Sequence, residues 1–174
     1  MSESKWYVIT GVFSSGKTTV LEQLIKAGYR AVPEATRVLI DEEMAQGRSV
    51  AEIRSNEGDF QRRVTKQKLE TEAMLPLEEI VFLDRAMPDS IAYYQLHGLN
   101  PQEARVVCRR GLYRRVFFME PVAFVKDYAR TESPEVIERL NVLLKEAYEQ
   151  LGYEVITVPA VSVAERVRFI LERL

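Results

Sequence analysis

Short apolar runs alternate with longer amphipathic stretches along this chain. Apolar runs of about four to eight residues predict strands, whereas apolar residues spaced three or four apart predict helices. The predicted strands are Trp6–Thr10, Tyr29–Val32, Ile80–Leu83, Arg115–Met119 and Val155–Val158. The predicted helices are Lys17–Ala27, a stretch from Pro33 to Gly47, Phe60–Leu75, Pro88–Leu96, Val136–Leu151 and Val163–Leu174. This alternation favours parallel β-α-β crossovers, so we predict an α/β fold with three α/β/α layers around a five-stranded parallel sheet.

The composition is that of one soluble globular domain covering residues 1–174. Hydrophobic residues make up 47% and charged residues 29% of the chain, which excludes a disordered or fibrous protein. The single cysteine, Cys108, excludes an internal disulfide, and with the single histidine, His97, it also excludes a zinc cluster of the usual Cys/His type. We expect Cys108 to be a small buried apolar residue and His97 to end a helix.

Charge and hydropathy narrow the choice of partners. The net charge of −2 makes nucleic acid an unlikely main partner. No targeting segment is visible, and no apolar run approaches the ~20 residues of a membrane span, so we expect a cytoplasmic protein. The oligomeric state stays open, and a homodimer is compatible with the sequence.

A glycine-rich segment between the first strand and the first helix indicates the chemistry. Residues 11–18 read G-V-F-S-S-G-K-T and fit the phosphate-binding pattern G-x-x-x-x-G-K-[ST] in the required strand–loop–helix context. Backbone N–H groups of such a loop surround phosphate oxygens, the lysine reaches the outer phosphates, and the hydroxyl after it binds Mg²⁺. The predicted contacts to ATP are Gly11, Ser14, Ser15, Gly16, Lys17, Thr18 and Thr19.

Two charged residues follow the third predicted strand. Asp84 is placed at the carboxyl end of a buried strand beside the phosphate loop, where with Thr18 it can bind Mg²⁺. Arg85 stands where many ATPases carry a second acid that activates water. A cation cannot be that base, but it can stabilise charge on a transferring phosphoryl group. Signatures of GTPases (N-K-x-D) and of transporter ATPases (L-S-G-G-Q) are absent, so transfer to an acceptor is favoured over hydrolysis.

The same residues carry a resemblance to known kinases. The segment D-R-A-M-P-D-S-I-A-Y-Y-Q, residues 84–95, is similar to the D-R-x-x-x-S-x-x-A-Y-Q stretch of thymidylate kinases and to the [DE]-R-S segment of deoxynucleoside kinases. Val32–Ala35 and Phe60–Arg62 also resemble deoxynucleoside kinase segments. Over essentially all its length the chain resembles bacterial AAA-labelled ATP-binding proteins related to the ribosylnicotinamide kinase domain. This resemblance implies the P-loop NTPase fold.

The resemblance also implies roles for particular residues. Glu34 matches the carboxylate that deprotonates the acceptor hydroxyl, and Gln61, with its neighbour Arg62, matches the helix that holds the nucleobase. Arg85 would contact the acceptor and the transferring phosphate. A short lid around 124–134 would close over the γ-phosphate through Arg130. Arg85 is followed by alanine where deoxynucleoside kinases have serine, so the acceptor is not defined.

The sequence therefore favours a kinase that moves the γ-phosphate of ATP, with Mg²⁺, to a small nucleoside-like or nucleotide-like acceptor. The alternative is a P-loop NTPase or a nucleotide-dependent switch with a protein or lipid partner. A third hypothesis is an NTPase that binds RNA or polyphosphate through two basic stretches of the chain. One stretch contains Arg62, Arg63, Lys66 and Lys68, and the other contains Arg105, Arg109, Arg110, Arg114 and Arg115. Glu34 separates the first two, because a kinase of an alcohol needs a base near the γ-phosphate and a switch does not. The preference for ATP or GTP stays open.

Overall fold

Five strands form one sheet in the computed structural model of the protein, which describes residues 3–13, 15–122 and 133–174. The strands are β1 (Trp6–Thr10), β2 (Arg30–Val32), β3 (Val81–Asp84), β4 (Arg115–Met119) and β5 (Val155–Val158). Their order across the sheet is β2-β3-β1-β4-β5, and every neighbouring pair is parallel. The predicted α/β class and five-stranded parallel sheet are confirmed.

The described residues form eight helices. They are α1 (Lys17–Lys26), α2 (Ala35–Ala45), α3 (Val50–Ile53), α4 (Glu57–Ala73), α5 (Met87–Leu96), α6 (Pro101–Arg105), α7 (Pro134–Glu149) and α8 (Val163–Leu171). Helices α1 and α8 pack on one face of the sheet, and α5 and α7 pack on the other, which gives the three predicted layers. In this described part, no helix is both long enough and apolar enough to cross a membrane.

The structure differs from the sequence prediction at the shortest helices and, by one to three residues, at several boundaries, of which the start of α4 is one. Helices α3 and α6 were not predicted, because four or five residues carry too little hydrophobic periodicity to mark a helix. Their caps are readable in the sequence, since Ser49 and Glu52 form a capping box on α3 and Asn100 caps α6. Helix α4 begins at Glu57 rather than at Phe60, because its polar first turn gives no apolar signal.

Strand β1 lies at the centre of the sheet and is buried on both faces. Tyr7 and Ile9 pack among residues of α1 and α8, whereas Trp6 and Val8 pack on the opposite face. All five residues of β1 are buried, as expected for a central parallel strand. This packing holds the start of the phosphate loop in a rigid position.

The carboxyl ends of β1 and β3 lie side by side. The strand register pairs Ile9 with Asp84, and the backbone N–H of Arg85 donates to the carbonyl oxygen of Ile9 at 3.0 Å. The loop after β1 and the turn after β3 therefore meet at the edge where open parallel sheets bind their ligands.

Candidate active site

Two glycines shape the loop between β1 and α1. Gly11 has a φ of +139° and Gly16 a φ of +81°, conformations that favour glycine. A Cβ on Gly11 would lie 2.8 Å from the carbonyl oxygen of Met119, so a side chain does not fit there. Gly16 directly precedes α1, so the loop opens onto a helix N-terminus, where anions bind. Ser14 lies outside the described residues.

Lys17, the first residue of α1, folds its side chain back over this loop. Its Nζ donates to the carbonyl oxygens of Gly11 and Val12, both at 3.0 Å, and to Ser15 Oγ at 3.2 Å. Burial, together with the charge of Arg85, lowers the pKa of Lys17 to about 7. A phosphate that entered the loop would be a stronger partner for this ammonium than the carbonyl oxygens are.

Asp84 and Thr18 provide oxygen atoms next to the loop. Both residues line one cavity of about 310 Å³, into which Glu34 also projects. Asp84 Oδ1 is buried and has no hydrogen-bond partner among the described residues. Burial, and after it the charge of Glu34, raises the pKa of Asp84 to about 6. A buried carboxylate oxygen without a partner, close to a hydroxyl, fits the oxygen ligands that Mg²⁺ prefers.

Arg85 is fully enclosed at the turn after β3. Its Nε lies 3.1 Å from Glu34 Oε1, and its guanidinium carbon lies 5.3 Å from the ring centre of Tyr93 and 5.8 Å from that of Phe13. Its φ of +64° is a left-handed conformation that is uncommon outside glycine. Such backbone strain is found most often where a side chain has a functional position.

Asp89 lies on the other side of this guanidinium. Asp89 Oδ1 is 3.6 Å from Arg85 Nη1, and the carboxylate is fully buried in the first turn of α5. It accepts hydrogen bonds from the hydroxyls of Thr10 and Tyr148 and, at 2.8 Å, from the backbone N–H of Ala86. Sequence reasoning missed Asp89, although a carboxylate three residues into a helix is a known capping signal.

A second cavity, of about 300 Å³, also has Glu34 on its wall. Part of its wall is aromatic, with Phe13 from the loop and Tyr93 from α5, while α7 adds aliphatic side chains. The polar residues on its wall are Glu34, Thr36, Arg54, Gln61 and His97. A flat, partly polar molecule suits this cavity, which we call the acceptor cavity.

Gln61 is held in place by Glu57. Gln61 Nε2 donates to Glu57 Oε1 at 2.8 Å, and the same carboxylate pairs with Arg54 at 2.8 Å and lies 3.3 Å from His97 Nε2. Burial opposes the charge of Glu57, but the hydrogen bonds from Arg54 and Gln61 lower its pKa nonetheless. His97 ends α5, as predicted, and also lines the acceptor cavity, which its position in the sequence did not indicate.

Arg166 of α8 ties the phosphate loop to two other loops. Its guanidinium is buried and donates to the carbonyl oxygens of Ser15, Glu120 and Pro159, the last two at 2.8 Å. These carbonyls belong to the loops that follow β1, β4 and β5. No local pattern in the sequence marks Arg166, because its partners are distant along the chain.

Some predicted site residues lie away from this cluster or outside the described residues. Arg62 lies on the exposed face of α4, where it pairs with Glu103 at 2.8 Å, so its side chain does not line the acceptor cavity. Thr19 is exposed on α1. The predicted lid around 124–134 falls mostly on residues 123–132, which are outside the described residues, so the role of Arg130 stays a prediction.

The sheet order, the glycine-rich loop and the lysine after it define the class: this is a P-loop protein with a kinase-like α/β fold. A deoxyadenosine kinase from M. mycoides, solved with dCMP and a flexible dCDP, matches with a TM-score of 0.66 at 16% identity over 97% of each chain. The NadR protein in complex with NR matches with a TM-score of 0.69 at 18% identity, over 98% of this chain and 50% of that one. At such identities the likeness shows the fold alone.

Comparison by sequence leads to the family. The chain belongs to the AAA domain family, which it matches over residues 6–166. Among curated proteins, none matches the chain. The predicted resemblance to AAA-labelled P-loop proteins with a kinase-like fold is confirmed.

Proposed function

We propose that this protein is an ATP-dependent phosphotransferase that moves the γ-phosphate, with Mg²⁺, to a hydroxyl of a small nucleoside-like acceptor. The observation that carries the proposal is the position of the Glu34–Arg85 pair. Glu34 lines both the cavity beside the phosphate loop and the acceptor cavity, and Arg85 lies 3.1 Å from it. A base and a cation thus lie between the two sites that a phosphoryl group would connect.

On the donor side, the triphosphate of ATP would lie along the loop before α1. Lys17 would exchange its contacts to loop carbonyls for contacts to the outer phosphate oxygens. Thr18 and Asp84 would hold Mg²⁺, which supplies positive charge to the phosphate oxygens when bound. Lys17 and Arg85 would both contact the outer phosphate oxygens, and contacts that strengthen in the transition state favour it over the bound substrate.

On the acceptor side, the aromatic wall of the acceptor cavity suits a flat ring. Phe13 and Tyr93 offer apolar ring surface, and Gln61 offers an amide whose orientation is set by Glu57. These contacts would place a hydroxyl of the acceptor at Glu34. The proposal leaves Arg62 out of acceptor binding, because its side chain faces solvent.

The transfer itself is a single displacement. The acceptor oxygen would attack the γ-phosphorus, the bond from that phosphorus to the bridging oxygen of ADP would break, and the hydroxyl proton would pass to the Glu34 carboxylate. Arg85 would stabilise the charge on the equatorial oxygens of the phosphoryl group.

A hydroxyl acceptor fits the charges better than a phosphate acceptor does. A nucleotide acceptor would bring a phosphate close to the Glu34 carboxylate and would need a cation to receive it. Among the described residues of this site, Arg54 is already paired with Glu57, and Arg85 would already contact the transferring phosphoryl group. Repulsion by an adjacent carboxylate would disfavour the phosphate.

A screen of acceptors tests the proposal. ADP formation would be followed with ATP or GTP as donor and with a panel of nucleosides, nucleoside monophosphates and hydroxyl-bearing vitamins, and the phosphorylated product would be identified by ³¹P NMR. Transfer to a hydroxyl compound is the expected result. Nucleotide binding without transfer to any acceptor would contradict the proposal and favour a nucleotide-dependent switch.

Substitution of Glu34 tests its role as the base. Glu34→Gln should keep ATP affinity and lose roughly 10²–10⁴-fold in kcat, because the amide cannot accept the hydroxyl proton. Glu42→Gln, the same change at an exposed position of α2, is the matched control and should keep the native rate. A near-native kcat in Glu34→Gln with a nucleoside monophosphate as acceptor would favour nucleotide kinase chemistry instead.

A further inference from the structure

The buried carboxylate of Asp89 has no direct part in the transfer step, and yet it is among the most highly connected side chains near the site. It receives three hydrogen bonds: one from the end of β1, one from the turn after β3 and one from α7. Thr10, the donor from β1, is the residue directly before Gly11 of the phosphate loop. Asp89 therefore connects the loop to the turn that carries Arg85.

The guanidinium of Arg85 lies between two carboxylates. Arg85 Nε is 3.1 Å from Glu34, and Arg85 Nη1 is 3.6 Å from Asp89. Neither nitrogen makes a hydrogen bond of good geometry, although both are buried. Arg85 is thus attracted from both sides and keeps N–H groups that a phosphoryl group can use.

From this geometry we infer that Asp89 is a positioning residue, which holds Arg85 between the phosphate loop and the acceptor and keeps it from pairing with Glu34 alone. The inference rests on the proposed function for its catalytic meaning. Without the Asp89 charge, Glu34 is the one carboxylate within 4.0 Å of Arg85 among the described residues. Arg85 would then shift toward Glu34 and occupy the carboxylate that must receive the hydroxyl proton.

A purely structural role would have a different signature. Asp89 also accepts from the backbone N–H of Ala86, which is the N-cap of α5. Asparagine retains the oxygen that accepts from Ala86 and keeps the size of the side chain. It removes the charge and places an NH₂ group where the other oxygen accepts from Thr10. Asp89→Asn therefore separates the helix cap from the ionic partner of Arg85.

Steady-state kinetics with the acceptor found in the screen give the first test. Asp89→Asn should lower kcat roughly 10–100-fold with an unchanged KM for ATP, because a small misplacement of a catalytic group has an effect of this size. In an Arg85→Ala background the same substitution should cause little further loss, since it acts through Arg85. Glu43→Gln, which neutralises another buried, arginine-paired carboxylate on α2, is the control and should keep the native kcat.

The second test needs no acceptor. In protein labelled with ¹⁵N-arginine, hindered rotation of a held guanidinium separates its two Nη signals, and Arg85→Lys identifies those of Arg85. We expect separate signals in the native protein and in Glu43→Gln, and averaged or shifted signals in Asp89→Asn. If Asp89→Asn does not fold, Tyr148→Phe undergoes both tests; it leaves the Asp89 charge in place but removes a hydroxyl that fixes the position of the carboxylate. It should change kcat and the Arg85 signals in the same direction and to a smaller extent, and unchanged Arg85 signals in this variant would overturn the positioning role.

The outcomes separate the two proposals. Unchanged Arg85 signals in Asp89→Asn, or a loss of kcat that is equally large in the Arg85→Ala background, would overturn the positioning role. Altered Arg85 signals in a protein that transfers phosphate to no acceptor would leave that role standing and overturn the proposed function.

Discussion

The protonation of Lys17 on nucleotide binding is a charge change that can be measured directly. Without a bound phosphate, burial lowers its pKa to about 7, so most of the amine is neutral at pH 8. The phosphates of a bound nucleotide favour the charged ammonium and raise that pKa. Nucleotide binding at pH 8 should therefore take up about one proton per site, and the uptake should fall as the pH approaches 6.

Titration calorimetry in buffers of different ionisation enthalpy measures this uptake. Lys17→Arg is the control, because a guanidinium stays charged throughout this pH range and should bind the nucleotide without taking up a proton. Equal proton counts for the native protein and Lys17→Arg at pH 8 would contradict the lowered pKa.

At the residue scale, the sequence predicts what a local pattern can mark. Lys17 and Thr18 follow from the spacing of the loop motif, and Asp84 follows from an acid at the end of an apolar run. No local sequence pattern predicts the contacts of Asp89 and Arg166. Asp89 contacts Thr10 across 79 positions of the chain, and Arg166 contacts Ser15 across 151, so these contacts exist only once the sheet has formed.

At the scale of the element, α4 turns charged side chains toward the protein interior, with Lys68 buried and Glu72 half-buried. Lys68 Nζ donates to Ala86 O and Ser90 Oγ, both at 3.1 Å, and Glu72 accepts from the Tyr113 hydroxyl at 3.0 Å. Burial lowers the pKa of Lys68 and raises that of Glu72 to about 7. The length of α4 was readable from the sequence, but its buried polar face was not, because charged residues normally indicate a solvent-exposed face.

The raised pKa of Glu72 makes stability depend on pH. Below about pH 4.5 the carboxyl is protonated in both the folded and the unfolded protein, and as the pH rises toward 7 the unfolded chain ionises first. The contribution of Glu72 to the free energy of unfolding therefore decreases as the pH rises over this range. Glu72→Gln keeps an acceptor for the Tyr113 hydroxyl and cannot ionise. At pH 8 this variant should be more stable than the native protein by roughly 1–3 kcal/mol.

Urea unfolding at pH 4.5 and pH 8 checks this expectation. The gain should be far smaller at pH 4.5, and Glu70→Gln, at an exposed position of the same helix, should show no such dependence. A difference between Glu72→Gln and the native protein that is equal at both pH values would rule out titration of Glu72 as the cause.

At the scale of the whole molecule, the architecture was predictable because five apolar runs alternate with amphipathic helices. Parallel strands that are buried on both faces consist of nearly continuous runs of apolar residues, as in Val81–Leu83. No comparable sequence pattern marks the acceptor cavity. Its wall combines the phosphate loop, the turn after β2, and helices α4, α5 and α7, so its shape depends on how distant elements pack.

Arg166 joins the carboxyl-terminal helix to the phosphate loop, and this contact links their opening reactions. Because the guanidinium donates to Ser15 O in the loop and to two carbonyls beyond it, separation of α8 from the sheet removes a support of the nucleotide site. A nucleotide that binds the closed form alone must then suppress that separation. Backbone amides of α8 should exchange with D₂O more slowly when ATP is bound.

Hydrogen exchange read by mass spectrometry measures this linkage. Peptides of α8 should gain protection from ATP in the native protein, while Arg166→Met should abolish the gain and α6 should respond in neither protein. Exchange in α8 that is indifferent to ATP in the native protein would disprove the linkage. If the linkage holds, the exchange rate of α8, a helix with no part in the chemistry, reports whether a nucleotide occupies the phosphate loop.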